Sequence, residues 1–304
     1  MTSDRKLMLI DGHALVHRAF HALPEQLTTS TGEPTNAVLG FANIVLKEID
    51  ALKPTHIIMA MDLPSPTFRH LAYAGYKGTR SPTPLALSSQ FERVRQVATA
   101  MHIPICELEG YEADDVLGTL SRVAEEQGIP TVIVTGDLDA LQLVSDLVHV
   151  LTPGRAMVET MEYTIPAVEA RYGLRPEQLP DWKALVGDAS DNIPGVSSIG
   201  AKTASDLLSR YETLEGIFAH LDELKSKQRA ALEQGFDQAL SSRDLARIVR
   251  TAPVELILDN AAHADVRRAD LISLFRELEF RILIERIQAM MPLHPEAAPA
   301  VAQT

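Results

Sequence analysis

Nine carboxylates are placed along the chain where they could act together. Asp11, Asp62 and Asp137 each follow closely on an apolar run of strand character, residues 7–10, 56–61 and 131–134, and a further run at 103–108 leads to Glu112. Glu112, Asp114 and Asp115 open a helix. Glu112 and Asp115, three apart, share a face and are expected to point at one cation, with Asp114 offset toward a neighbouring ligand or water. In the turn Thr135-Gly136-Asp137-Leu138-Asp139 the two acids can converge as they could not within a helix, and Asp188 and Asp191 form another pair after Gly187. Each acid alone is equally well explained as a helix cap or a solvated charge. Carboxylates gathered at the ends of buried strands, however, cost desolvation energy unless counterions meet them. No histidine–cysteine cluster accompanies them, so the expected partners are Mg²⁺ or Mn²⁺ rather than zinc. The acids exceed the needs of one octahedral ion that keeps its waters. Two ions are expected, the arrangement that activates water and stabilises a leaving oxygen in phosphoryl transfer.

Two further stretches carry groups suited to phosphate. Residues 63–90 hold Arg69, His70, Tyr73, Tyr76, Lys77 and Arg80 between prolines 64, 66, 82 and 84, and predict an irregular excursion that is either a plain surface loop or ordered by substrate. Residues 192–204 read as helix, turn, helix. Gly195 and Gly200 leave backbone N–H groups accessible near a helix start, and Lys202 with Thr203 adds contacts, which together suit a sequence-independent grip on duplex backbone. The same glycine-bearing hairpin is common in domains that never touch DNA. His13, His17 and His21 recur at four-residue spacing without a strong helical frame and are expected to face solvent or phosphate.

The elements that must position these groups alternate. Strand-like runs separated by helical patterns predict an α/β fold with a mostly parallel central sheet and flanking helices, whose sites form outside the carboxyl ends of the strands. Beyond residue 166 the pattern becomes helical, with helices expected at 181–186, 201–211, 227–250 and 269–290. The expected division is 1–165 for the α/β domain, 166–291 for a helical DNA-binding region, and 292–304 for a flexible tail or linker. Composition sets few limits. The net charge of −13 speaks against a polyanion, yet 9 of the 41 acids belong to the cluster, the remaining 32 nearly balance 28 bases, and two divalent ions would add four positive charges there. One cysteine, Cys106, excludes an internal disulfide framework and reads as a buried thiol in a reducing compartment. The apolar run at 7–10 is too short for a signal peptide or a membrane span, so a cytoplasmic setting with no membrane partner is expected.

These motifs carry a resemblance. Leu9-Ile10-Asp11-Gly12-His13, Asp62 with Pro66-Thr67-Phe68-Arg69, Tyr76-Lys77-Gly78-Thr79-Arg80, Gly110-Tyr111-Glu112-Ala113-Asp114-Asp115, the 135–139 turn and residues 187–204 are together similar to the flap endonuclease and 5′–3′ exonuclease family, which includes the 5′-nuclease domain of bacterial DNA polymerase I. The likeness runs from Leu7 to about Arg286. It implies a PIN-like 5′-nuclease fold and cleavage of DNA at 5′ ends and flap junctions in primer removal and repair. It implies that Asp11, Asp62, Glu112, Asp114 and Asp115 surround one metal and Asp137, Asp139, Asp188 and Asp191 the other. It places Arg69, Tyr76, Lys77 and Arg80 near the scissile phosphate beneath a helical arch, and makes 188–210 a helix-three-turn-helix element holding K⁺ at the 193–200 turn. It further implies DNA with 5′ ends, flaps or nicks as partner, RNA primers as a variant substrate, a monomer, and proofreading-like and polymerase domains in a longer natural chain. Three positions depart from the pattern: Leu138 for a usual lysine, Met61 for phenylalanine, Ser198 for glycine. Leu138 and Ser198 keep open a non-cleaving DNA-structure binder; a magnesium-dependent phosphatase is the remote alternative.

Overall fold

The computed structural model describes residues 5–154, 157, 159–263 and 268–290. The sheet has six strands in the order β3-β2-β1-β4-β5-β6, namely β1 (Leu7–Asp11), β2 (His56–Ala60), β3 (Ile105–Cys106), β4 (Thr131–Val134), β5 (Val148–Pro153) and β6 (Thr160–Tyr163). The first five pair in parallel and β6 adds antiparallel to β5. Helices α1 (Gly12–Ala22) and α2 (Asn36–Leu52) link β1 to β2. Helices α3 (Phe68–Ala72), α4 (Leu85–Ser88) and α5 (Phe91–Ala100) precede β3, α6 (Ala113–Glu126) leads to β4, and α7 (Ile165–Tyr172) follows β6.

Alternation along the strands explains why both faces are covered. Met8 and Ile10 of β1 point into one core with Phe41 and Ile44 of α2 and Val94 and Val97 of α5, whereas Leu7 and Leu9 point into another with Val116, Leu117 and Leu120 of α6. A mostly parallel sheet between helices was expected; β5 and β6 were not, because His149, Thr152 and the polar edge sequence of β6 break the apolar signal.

Helices α8 (Leu179–Val186), α9 (Ala201–Tyr211), α10 (Leu214–Ala219), α11 (Ser226–Gln234) and α12 (Phe236–Ala246) pack around their own cluster, which includes Leu174, Leu185, Leu208, Ile217 and Leu232. The expected helix at 227–250 is divided at Gly235, and that at 269–290 becomes α14 (Arg268–Glu277) and α15 (Arg281–Met290), separated where Glu279 takes a left-handed φ of 62°. Between these pairs the chain runs back along α6 and through α13 (Leu258–Ala261) to the sheet, where the His263 N–H donates to the Thr55 carbonyl at 2.9 Å.

Two expected boundaries are corrected. Val168 of α7 lies in the sheet's core, and Leu174 begins the helical cluster, so the division falls near residue 173 rather than 165. Leu271, Phe275, Phe280, Leu283 and Ile287 bury themselves in the first core, so α14 and α15 seal the α/β unit instead of extending a helical region to 291. The expected tail at 292–304 lies outside the described residues. No helix among those described is long and apolar enough to cross a membrane.

Phe275 is fully buried. Phe275→Ala is expected to lower the unfolding free energy by about 3–5 kcal/mol. Urea denaturation measures it, and a loss under about 1 kcal/mol would mean that α14 does not seal this core.

Candidate active site

Ile10 lies level with Met59 on one side and with Val134 on the other, so β1, β2 and β4 release their next residues at one edge of the sheet. Gly136 brings the 135–139 turn against α1: a Cβ there would stand 2.8 Å from the Ala14 carbonyl oxygen. The result is an open cleft of about 770 Å³, lined by Asp11, Asp62, Glu112, Asp114 and Asp137 and also by Lys77, Arg80, Pro82 and Pro84.

The cleft acids are held mainly by backbone and hydroxyl donors. Asp11 accepts from the Ala14 N–H at 2.9 Å and from the Thr135 hydroxyl at 2.7 Å. Asp62 accepts from the Ala113 N–H at 2.7 Å, and Asp137 from the Asp139 N–H at 2.9 Å. Burial, reinforced by repulsion from Asp62 and Asp137, pushes the Asp11 carboxyl up to about 7. Burial and the surrounding acids hold Asp114 well above the usual carboxylate range, and its buried Oδ1 has no hydrogen-bond partner. Asp139 is pushed up to about 7 by burial and by Asp137.

The other acids meet protein cations. Glu112 receives Lys77 Nζ at 2.7 Å and Arg69 Nη1 at 3.3 Å, and the Tyr76 hydroxyl lies 3.0 Å from Glu112 and 3.1 Å from Asp191. Arg80 pairs with Asp191 at 2.5 Å. Lys183 pairs with both Asp139 and Asp188. Burial alone would raise Asp188, but Lys183 and the Ser190 donors hold it down to about 2.

Several expectations change here. Asp115 does not point at a shared cation: it is fully buried, and its two oxygens accept from Arg69 Nη1 and Nη2 at 2.7 and 2.8 Å, from the Glu112 N–H at 3.1 Å and from the Val249 N–H at 2.8 Å. Asp114, expected to be offset, is the one that lines the cleft. Arg69 is buried as the counter-ion of Asp115, with its other donors on the Leu245 and Arg247 carbonyls, so it does not face DNA. The 63–90 segment forms no long helical arch. It holds two short helices and is tied down by Arg69, Tyr76 and Lys77, whose acidic partners are distant in sequence.

In the 192–204 stretch, Gly195 answers to packing, since a Cβ would lie 2.4 Å from the Val186 backbone. Gly200 caps α9 in an exposed position beside exposed Lys202 and half-buried Thr203. Ser198 keeps a left-handed φ of 65°, the conformation a glycine would take without strain. Met61 packs under Gly12. His13, His17 and His21 all line the cleft, the first two half-buried and His21 exposed, and His13 stacks on Phe91 with ring centroids 4.5 Å apart. Burial lowers His13, and burial with the neighbouring histidines lowers His17 to about 4. Cys106 is half-buried. Sequence reasoning missed Thr135, Phe91 and Lys183; a lysine in the last turn of a helix, five residues before an aspartate, was the one available signal for Lys183.

A family model described as 5′–3′ exonuclease, N-terminal resolvase-like domain, matches residues 6–173. The chain belongs to the 5′–3′ exonuclease family. A second model, the C-terminal SAM fold of 5′–3′ exonucleases, matches residues 174–269, with the change of model falling just after α7. Among curated relatives of this exonuclease-family chain, DNA polymerase I of Bacillus caldotenax is 44% identical over 286 residues and that of Bacillus subtilis (strain 168) 42% over 288. Each match covers 94% of this chain but 32% and 33% of the relative, so the chain spans about a third of their length. Among solved structures, T5 5′-exonuclease with bound divalent metal ions (zinc) has a TM-score of 0.65 at 22% identity, covering 91% of this chain and 99% of that one. The catalytic core of Rad2 in complex with DNA substrate has a TM-score of 0.61 at 13% identity, covering 93% and 92%. At such identities the likeness shows the fold.

The donor set of this exonuclease-family site suits hard divalent cations: it is rich in oxygen, includes an orphaned buried carboxylate oxygen on Asp114, and leaves Asp11, Asp62, Asp114 and Asp137 without a lysine or arginine pair among the described residues. As the side chains stand, no three donors among the described residues converge on one ion, and Arg69, Lys77, Arg80 and Lys183 hold the other five acids.

Asp115→Asn removes the bidentate counter-charge of the buried Arg69 guanidinium and leaves it only Glu112 at 3.3 Å, and a loss of about 3 kcal/mol of stability is expected by urea denaturation. Adding Arg69→Met should recover part of it; a stable Asp115→Asn would refute the structural role. The raised carboxyls of Asp11, Asp114 and Asp139 bind protons more tightly folded than unfolded. Their contribution to stability is therefore present below the usual carboxylate range and is lost as pH rises toward about 7. Divalent ions compensate the charge that appears, so the gain in melting temperature from Mn²⁺ over EDTA should grow between about pH 5 and 7.5. A gain independent of pH would count against ions among these acids.

Proposed function

We propose that the chain hydrolyses DNA phosphodiesters at 5′ ends and duplex–flap junctions with Mg²⁺ or Mn²⁺ as cofactor. The observation that carries this is a single cleft at the carboxyl edge of the sheet that is lined both by Asp11, Asp62, Asp114 and Asp137, which no lysine or arginine pairs with among the described residues, and by Lys77 and Arg80. Asp11, Asp62, Glu112, Asp114 and Asp137 are the residues to hold the ions, with Asp139, Asp188 and Asp191 behind them. Such ions, when bound, lower the pKa of the attacking water and neutralise charge on the departing 3′ oxygen.

The chain's own groups do the positioning. Lys77 and Arg80 reach the cleft and are placed to neutralise the phosphate being cut. The Tyr76 hydroxyl lies within reach of both Glu112 and Asp191 and can donate its one hydrogen to either. His13 and His17, neutral at pH 7 because burial lowers them, add uncharged rings beside Phe91. Gly200, Lys202 and Thr203 present the exposed amino end of α9 to a duplex phosphate, with 188–210 as helix-three-turn-helix element and its 193–200 turn as K⁺ site. RNA-primed 5′ ends, action as a monomer, a bacterial cytoplasmic setting and a longer natural chain with proofreading-like and polymerase domains complete the proposal; its support is the DNA polymerase I relatives. The non-cleaving alternative loses its motive at Leu138, since Lys183 brings an ammonium to Asp139 from another element.

A 5′-labelled flap substrate, incubated with Mg²⁺, Mn²⁺ or EDTA and its products mapped, tests this. Cleavage near the junction is expected with either ion and none with EDTA, and Asp114→Ala should reduce the rate by roughly a hundredfold or more. Cutting in EDTA, or an Asp114→Ala rate close to wild type, would sink the proposal.

A further inference from the structure

Asp11, Asp62 and Asp114, where β1 and β2 end and α6 begins, have no lysine or arginine pair among the described residues, and neither has Asp137 in the turn after β4, whereas Glu112 and Asp115 at the start of α6 meet Lys77 and Arg69. Asp139 and Asp188, in contrast, share one cation. The Lys183 ammonium meets Oδ1 of Asp139 and Oδ2 of Asp188, the latter at 2.5 Å. These carboxylates come from segments 44 and 5 residues away from the lysine, so the fold has brought two acids to one monovalent charge as it would bring them to a metal.

The lysine is built into that place. It stands in the last turn of α8, its side chain is 16% exposed, and neighbouring Trp182 is fixed by an indole N–H donated to the Ser205 hydroxyl at 3.1 Å. On the acid side, the Ser190 N–H and hydroxyl hold Asp188 Oδ1 at 2.8 and 2.6 Å, which leaves Oδ2 for the ammonium. Leu138, between the two aspartates of its turn, contributes no charge and lines the same small cavity as Lys183.

We propose that Lys183 is a latch on the second metal locus: the free protein takes its first divalent ion among Asp11, Asp62 and Asp114, and takes a second only by displacing the Lys183 ammonium from between Asp139 and Asp188. This rests on the metal-dependent function proposed above. With the ammonium in place, one of the two negative charges is cancelled and an oxygen of each acid is already engaged, so an entering dication meets both a like charge and a depleted donor set. Lys183 is thus a positioning residue that makes loading sequential and keeps two half-buried acids compensated meanwhile.

The test is Mn²⁺ titration of the full chain without DNA, followed by calorimetry and by the electron paramagnetic resonance signal of free Mn²⁺, for wild type, Lys183→Met and Lys183→Arg. Wild type should bind one ion and then a second at least roughly tenfold more weakly. Lys183→Met should leave the first constant within about twofold and strengthen the second roughly tenfold or more. Lys183→Arg, which keeps the charge, should behave as wild type. Thermal unfolding should show a larger Mn²⁺ gain for Lys183→Met than for wild type, and Lys183→Gln carries the same expectations should the methionine variant fail to fold. Two equally tight ions in wild type, or an unchanged second constant in Lys183→Met with the first intact, would overturn the latch and leave the metal-dependent reading standing. No bound Mn²⁺ in any of the proteins would overturn both.

Discussion

A buried guanidinium decides how this molecule is assembled. Arg69 is 2% exposed and uses every nitrogen: Nε on the Leu245 carbonyl at 2.9 Å, Nη1 on Asp115 at 2.7 Å and Glu112 at 3.3 Å, Nη2 on Asp115 and the Arg247 carbonyl, each at 2.8 Å. Removing two such charges from water costs several kcal/mol per ion and is offset only when all donors and acceptors are met. That condition is fulfilled only if three distant segments arrive together: the 63–90 excursion, the start of α6, and the end of α12 with the irregular chain that follows it to 249. Once they do, Glu112 and Asp114 are fixed at the cleft, and the chain is directed along α6 toward the helices that close the first core.

The same logic of compensation governs the cleft. Five acids are tolerated because Arg69, Lys77, Arg80 and Lys183 meet them. Where no cation is supplied, the fold relies on hydroxyl and amide donors and on retained protons, which is why Asp11 rises to about 7 although Thr135 and Ala14 both donate to it. Such a wall is a poor resting state for the protein alone and a good one for an entering dication.

Much of this was legible in sequence because periodicity reports burial. The runs ending at Asp11, Asp62 and Asp137 are parallel strands whose shared edge makes the cleft, and α9 spans the residues 201–211 that its pattern requires. The illegible parts depend on partners far along the chain. Helical spacing pairs Glu112 with Asp115, but it cannot tell which of Asp114 and Asp115 meets an arginine arriving from residue 69. Lys77 and Arg80 have no acids near them in sequence, yet both find acids in the fold. Lys183 reads as an ordinary helix-terminal base until the 135–139 turn is laid beside it. The burial of α14 and α15 against α2 and α5 likewise follows from a return path that local pattern does not encode.

The net charge of −13 poses its own question for a chain proposed to act on a polyanion. In the fold, Lys77 and Arg80 already line the cleft, but each is engaged with an acid, Glu112 or Asp191. On the metal-dependent function proposed above, divalent ions held by those carboxylates would release the bases, which would then be free to meet a phosphate as a new counter-charge. Because that exchange would happen within one cleft, the excess of acids over the whole chain would bear less on whether DNA can enter than the arrangement of partners there.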